Sequence, residues 1–135
     1  MLSVFPQLFD YSFLAITVLR VTLGIIFIFF AYGKLFRERA MRIAFFDKLS
    51  LRPAIVFFSI VTGLELIAGI FLTIGLFTQI MALITGTLMV LATLIKWRRP
   101  DVLPYNTVEF YILLALVSYS LVFLGPGSFA FDFPL

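Results

Sequence analysis

Four long apolar stretches joined by short connections, two of them basic, constrain this chain more than any other feature. They run over about 12–33, 54–76, 78–95 and 105–124. The hydrocarbon core of a bilayer takes about 20 apolar residues per helical crossing, and each stretch approaches that length. Inside lipid every backbone N–H and C=O must be satisfied within the segment, so stretches of this kind are helices. The composition agrees: 63% of the 135 residues are hydrophobic and 18% aromatic, with a mean hydropathy of +1.17. Soluble domains do not approach that balance. Four crossings consume roughly 80 residues, leaving only connections between them. The expected fold is therefore all-α: one domain over 1–135, an integral membrane four-helix bundle with antiparallel neighbours.

The punctuation supports this division. Only Phe77 separates the second and third stretches, which makes them a tight antiparallel hairpin. Pro53 and Pro104 stand just before the second and fourth, where a missing backbone donor costs a helix little. A secretory leader carries positive charge ahead of its apolar run, whereas the first basic residue here is Arg20, already inside the first stretch. That stretch is expected to remain as a membrane span. Repeats, low-complexity tracts and flexible linkers are absent from the sequence.

Charge gives an orientation. The connection after the first stretch holds Lys34, Arg37, Arg39, Arg42, Lys48 and Arg52, and the one after the third holds Lys96, Arg98 and Arg99. Nine of the ten basic residues thus fall on one side, which the positive-inside bias makes cytoplasmic. Both termini are expected outside the cytoplasm, in a multi-pass protein of the cell membrane. Within the first connection Phe36, Ala40, Ile43 and Phe46 or Leu49 recur near helical spacing, and Glu38 and Arg42 form an i,i+4 pair. A short amphipathic interfacial helix between the first two spans is expected there, held by anionic lipid or docking a soluble partner.

The sequence closes several routes to chemistry. It contains no cysteine and no histidine, so dithiol exchange, thiolate metal sites and the usual histidine ligands of haem or zinc are excluded. No metal site and no covalently held cofactor is expected. A net charge of +3 with a pI near 9.5 invites a nucleic-acid reading. The basic residues, however, sit at the ends of apolar segments, where anionic lipid explains them, and no nucleic-acid partner is expected.

Ionisable groups at membrane depth mark the bundle interior or a cavity. Three qualify: Arg20, Glu65 and Glu109. Thr17, Arg20, Gly24, Phe27, Ala31 and Lys34 form one stripe of the first span, and Thr62, Glu65 and Gly69 form a stripe of the second. At 1.5 Å rise per residue, Arg20 lies roughly 12 Å and Glu65 roughly 16 Å below the outer ends of their helices, while Glu109 lies about 6 Å from the inner end of the fourth. An Arg20–Glu65 ion pair is expected, with Glu109 at the level of Lys34 and Lys96. Such charges hold helices in register or line a pocket for a quinone head group, a proton path or a small substrate. Ala82 and Gly86 form a small-xxx-small pair for close packing. Tyr32, Tyr111 and Tyr119 are candidate donors to a ligand carbonyl, or interfacial and core tyrosines.

Leu19-Arg20 followed by Gly24, Gly33-Lys34, Glu65 followed by Gly69, Gly75-Leu76-Phe77-Thr78, the run 81–92, and Gly125-Pro126-Gly127 with Asp132 together resemble the DoxX family of small membrane proteins. The resemblance covers nearly the whole chain and rests on the order and spacing of these motifs. It implies a four-helix bundle and an association with redox functions, since relatives include subunits of quinone-reducing thiosulfate dehydrogenases and of a membrane oxidoreductase complex linked to oxidative stress. It also implies that Arg20, Lys34, Glu65 and Asp132 are the family-like polar residues. More distant relatives act as cargo receptors or assembly chaperones, and a thiol branch relies on cysteines that this chain lacks.

Two readings stay open. In one, the chain is a subunit or accessory of a quinone-linked oxidoreductase system; its cofactor is quinone, its polar candidates are Arg20, Lys34, Glu65, Glu109, Tyr32 and Tyr119, and a soluble or membrane redox partner supplies the electrons. In the other it is a non-catalytic membrane scaffold, assembly factor or cargo receptor. A transporter is less well supported, since a single four-helix unit lacks inverted repeats and would have to form a homo-oligomer.

Overall fold

The computed structural model describes residues 4–37, 39–50, 53–99 and 107–127. Among these every regular element is helical. A 3₁₀ turn over Pro6–Tyr11 feeds α1 (Ser12–Tyr32), which runs on through a π turn at Gly33–Arg37 towards α2 (Arg39–Lys48). Then come α3 (Ala54–Ile74), α4 (Thr78–Arg98) and α5 (Val108–Leu124). Three helices are long and apolar enough to cross a membrane: α1 with its flanking turns, α3 and α4. The fourth apolar helix, α5, is shorter, with 17 residues.

The helix ends follow local chemistry. Pro53, extended at φ −72° and ψ 131°, is the N-cap of α3. At the other end Gly75 takes a left-handed conformation (φ 78°) in which its N–H and that of Leu76 both reach the carbonyl of Phe71, at 2.8 and 2.9 Å. Phe77 is also left-handed (φ 50°), and α4 starts directly after it, so the hairpin turn is Gly75–Phe77 where the sequence expectation left Phe77 alone. The fourth stretch begins later than expected. Thr107 caps α5 by accepting from the Phe110 N–H at 3.2 Å, whereas Pro104 and Tyr105 lie outside the described residues.

α1 packs chiefly on α3 and α4 chiefly on α5, with further contacts of α3 to α4 and α2 and of α1 to α5. Leu23, Phe27, Phe58, Leu72, Ala82 and Leu121 are buried at the centre. Polar contacts fasten α4 to α5: Thr85 Oγ1 donates to Ser118 Oγ at 3.2 Å, and Gln79 Nε2 to the Val122 carbonyl at 2.8 Å. Gly86 receives the Tyr119 ring, which would stand 2.8 Å from an added Cβ. Small residues and hydroxyls at helix contacts are what association in lipid selects, because apolar burial gives no preference for protein over hydrocarbon there. Large apolar side chains such as Phe29, Leu83 and Leu116 point outward.

The short helix between the first two spans is present, and the later members of the expected stripe face inward while the first two do not. Phe36 is 72% exposed and Ala40 is exposed, while Phe45 and Phe46 are buried and Ile43 and Leu49 half-buried. Phe36 belongs to the π turn and Ala40 to the first turn of α2, so the inward face begins only at Arg42 and Ile43. Glu38, the expected partner of Arg42, lies outside the described residues, as does Arg52.

Candidate functional site

The site begins with a close helix crossing. Gly24 of α1 sits against α3 so tightly that a Cβ there would lie 2.7 Å from the Gly69 carbonyl oxygen and 2.8 Å from the Thr73 nitrogen. Gly69 in turn meets the backbone of Gly24 and Ile28. This contact fixes how far the two helices slide along each other. It sets Arg20 level with the last residues of α3, about ten residues or 15 Å from Glu65.

The pairing therefore corrects the sequence expectation. Glu65 binds Lys34, with Nζ 2.6 Å from Oε1, and Arg20 donates instead to the Pro126 carbonyl beyond α5. Measuring depth from helix ends assumed the ends to be flush, but α1 overhangs α3, and the chain after α5 covers the overhang: Gly127 lies against Phe13 and Thr17. The glycine match was the signal in the sequence that would have given the correct register. Arg20 and Glu65 are almost wholly buried, and Lys34 keeps 15% of its side chain accessible.

The Lys34–Glu65 pair borders a cavity of about 320 Å³ at the end of the helices away from the Gly75–Phe77 turn. Every α-helix contributes to its wall. Phe30 comes from α1, Phe45, Phe46 and Leu49 from α2, Val61 from α3, Met89 and Ala92 from α4, and Tyr111 from α5. Arg42 is a second cation in the wall. The second carboxylate oxygen, Glu65 Oε2, is buried without a hydrogen-bond partner, a costly state for a charged group. A turn earlier on the same face, Thr62 Oγ1 is likewise buried and unpartnered. Thr62 borders a second space of about 210 Å³ beside Arg39, whose guanidinium lies 6.0 Å from the Phe58 ring centre.

The remaining candidates are scattered. Glu109 is exposed in the first turn of α5 and does not line the cavity. Tyr32 is half exposed, with its ring against Phe36 and under the Arg37 guanidinium at 5.8 Å. Tyr119 packs on Gly86 and approaches Thr87 Oγ1 at 3.4 Å, away from the cavity. Of the three tyrosines named from sequence, Tyr111 is the one in the wall. Asp132 lies outside the described residues. Arg42, Phe45 and Phe46 were missed as site residues: the apolar stripe that includes Phe46 is visible in the sequence, but not that this face of α2 closes a cavity.

Chemically, the cavity offers apolar and aromatic walls with a few convergent polar groups, the usual make-up of a small-molecule site. The accessible polar group of the pair is the Lys34 ammonium, a hydrogen-bond donor. Among the described residues, no three His, Cys, Asp or Glu side chains come together as a metal site would require.

The DoxX family model matches residues 15–97, which includes α2, α3 and nearly all of α1 and α4. No curated protein and no solved structure matches the chain.

Proposed function

This chain belongs to the DoxX family of membrane proteins, and from that premise we propose that it serves a quinone-linked oxidoreductase system of the cell membrane as a subunit or accessory. In this reading α1, α3, α4 and α5 are four antiparallel spans. The 17 residues of α5 meet the lower limit of about 17 for a crossing. The π turn and α2 lie along the cytoplasmic surface, with the basic residues on anionic lipid and both termini on the opposite side.

The observation that carries the proposal is the Lys34–Glu65 pair set into an apolar, aromatic wall. Flat aromatic and aliphatic side chains hold a ring, and the Lys34 ammonium has N–H groups beyond the one Glu65 takes, to donate to a ring carbonyl. Reducing a quinone to a hydroquinone consumes two electrons and two protons. The chain has no cysteine or histidine to hold a metal centre, so the electrons come from a partner protein that carries its own flavin or metal centre.

The test is extraction of lipids from the purified protein, with quinone measured against an unrelated membrane protein of similar size. Quinone near one per chain, reduced about tenfold in Lys34→Met, is the expected result; equal quinone in both preparations would refute it. A second reading, a scaffold or assembly factor, draws on the same pair, because a buried ion pair also locks helix register. It predicts no quinone enrichment and a fall in the abundance of a partner when the chain is deleted.

A further inference from the structure

We infer that the ligand of the 320 Å³ cavity enters sideways from the bilayer hydrocarbon, between α3 and α4, and not from the water beside α2. The inference rests on the quinone reading for the identity of the ligand, but on the shape of the cavity for the route.

Two residues locate the mouth. Most of the wall is buried or half-buried, and its exposed members are Phe57 of α3 and Leu91 of α4, at 37% and 51%. They stand on the neighbouring helices of one hairpin, near the ends away from its turn. Both lie in helices apolar enough to cross a membrane, and Leu91 is about 10 Å from the last residue of α4. On the side facing α2 the cavity is closed by Phe45 and Phe46, both buried. A molecule arriving from water would have to displace these rings; one dissolved in lipid need only pass between Phe57 and Leu91.

Size points the same way. A space of about 320 Å³ is at the small end of the ligand-site range of about 300–1,000 Å³. It takes a ring head group and leaves a long tail outside. A tail emerging between α3 and α4 enters hydrocarbon at once, so the preferred ligand is a lipid-dissolved amphiphile with a ring that accepts from Lys34 and an isoprenoid or alkyl tail. Without it, an acyl chain of a bilayer lipid fills the mouth.

The test uses the full chain in vesicles of brominated phosphatidylcholine, whose acyl bromines quench tryptophan on contact. With the native tryptophan removed (Trp97→Phe), single tryptophans are placed at Leu88 and, as an independent second probe, at Met89, both in the cavity wall. Leu83, on the outward face, and Leu72, buried between helices, are the quenched and shielded references. Quenching at Leu88→Trp or Met89→Trp close to that at Leu83→Trp is expected; quenching no greater than at Leu72→Trp overturns the inference, whatever quinone does. In parallel, Ala92→Trp, which crowds the mouth, should weaken decylubiquinone binding about tenfold, and the tail-less dimethoxy-methyl-benzoquinone should bind more weakly than decylubiquinone. Equal binding of the two quinones with no effect of Ala92→Trp also overturns the lateral route. Quenching as expected with neither quinone bound leaves the route standing and refutes the quinone reading.

Discussion

Lys34 and Glu65, 31 positions apart in the chain, meet with 2.6 Å between Nζ and Oε1 at the border of an apolar cavity. Glu65 is 2% exposed and Lys34 15%, so the carboxylate depends on its partner for most of its compensation. Removing one member of such a pair leaves a stranded charge and costs about 3–5 kcal/mol. Lys34→Met should therefore lower the melting temperature in detergent more than the double variant Lys34→Met/Glu65→Leu. Additive losses would show that the pair is not the unit. The double variant also separates roles: if the pair serves a ligand, stability returns while quinone binding does not.

The Gly24–Gly69 crossing predicts a steep dependence on side-chain size. A methyl group at Gly24 would meet backbone atoms of Gly69 and Thr73 at 2.7 and 2.8 Å, and backbone does not yield as a flexible side chain does. Gly24→Ala should cost about 1–3 kcal/mol. Gly63, on the same helix as Gly69, has open space around its Cβ position, so Gly63→Ala should be neutral or stabilise by up to about 1 kcal/mol through helix propensity. Thermal unfolding of both variants in the same detergent checks the contrast.

Between α4 and α5 shape counts for more than hydrogen bonding. The Tyr119 hydroxyl makes only a 3.4 Å approach to Thr87, while its ring fills the space above Gly86. Tyr119→Phe should change stability by less than about 1 kcal/mol. Gly86→Leu should disrupt the interface, and adding Tyr119→Ala should restore part of the loss, measured by resistance to unfolding in mixed micelles.

The orientation can be read from single cysteines, since the chain has none of its own. Val4→Cys and Phe77→Cys, both exposed, should react with a membrane-impermeant maleimide in intact cells, and Arg39→Cys should react only after the membrane is opened. The reverse pattern would invert the topology and set the basic residues outside.

The span positions were legible because run length and apolarity are properties of a single segment: α1, α3 and α4 start at Ser12, Ala54 and Thr78, where the sequence places them. Some ends moved: Gly75 and the Thr107 cap are local signals for the earlier end of α3 and the later start of α5, while α4 runs past the expected Ile95 to Arg98. Pairing was harder to read, because it depends on how two helices slide past each other. Arg20 and Glu65 have similar depths only if their helix ends are flush, and the Gly24–Gly69 contact makes them unequal. Lys34 was visible as part of the same stripe as Arg20, but its role emerged only with that slide. Tyr32 and Glu109 have the right chemistry for a site and the wrong azimuth, which spacing within one helix does not determine.

The π turn at Gly33–Arg37 gives the cavity floor a dependence on connector length. Five residues of π winding turn the chain about as far as four of α winding, so a chain that kept all five but wound them as an ordinary α-helix would swing α2 by nearly one residue's step, about 100° about its axis. Phe45 and Phe46 would then face away, and another side of α2 would close the cavity. Length and winding of this connector therefore offset each other: with every wall residue of α3, α4 and α5 unchanged, a chain one residue shorter and wound as a plain α-helix would keep the same floor, and one of unchanged length would not.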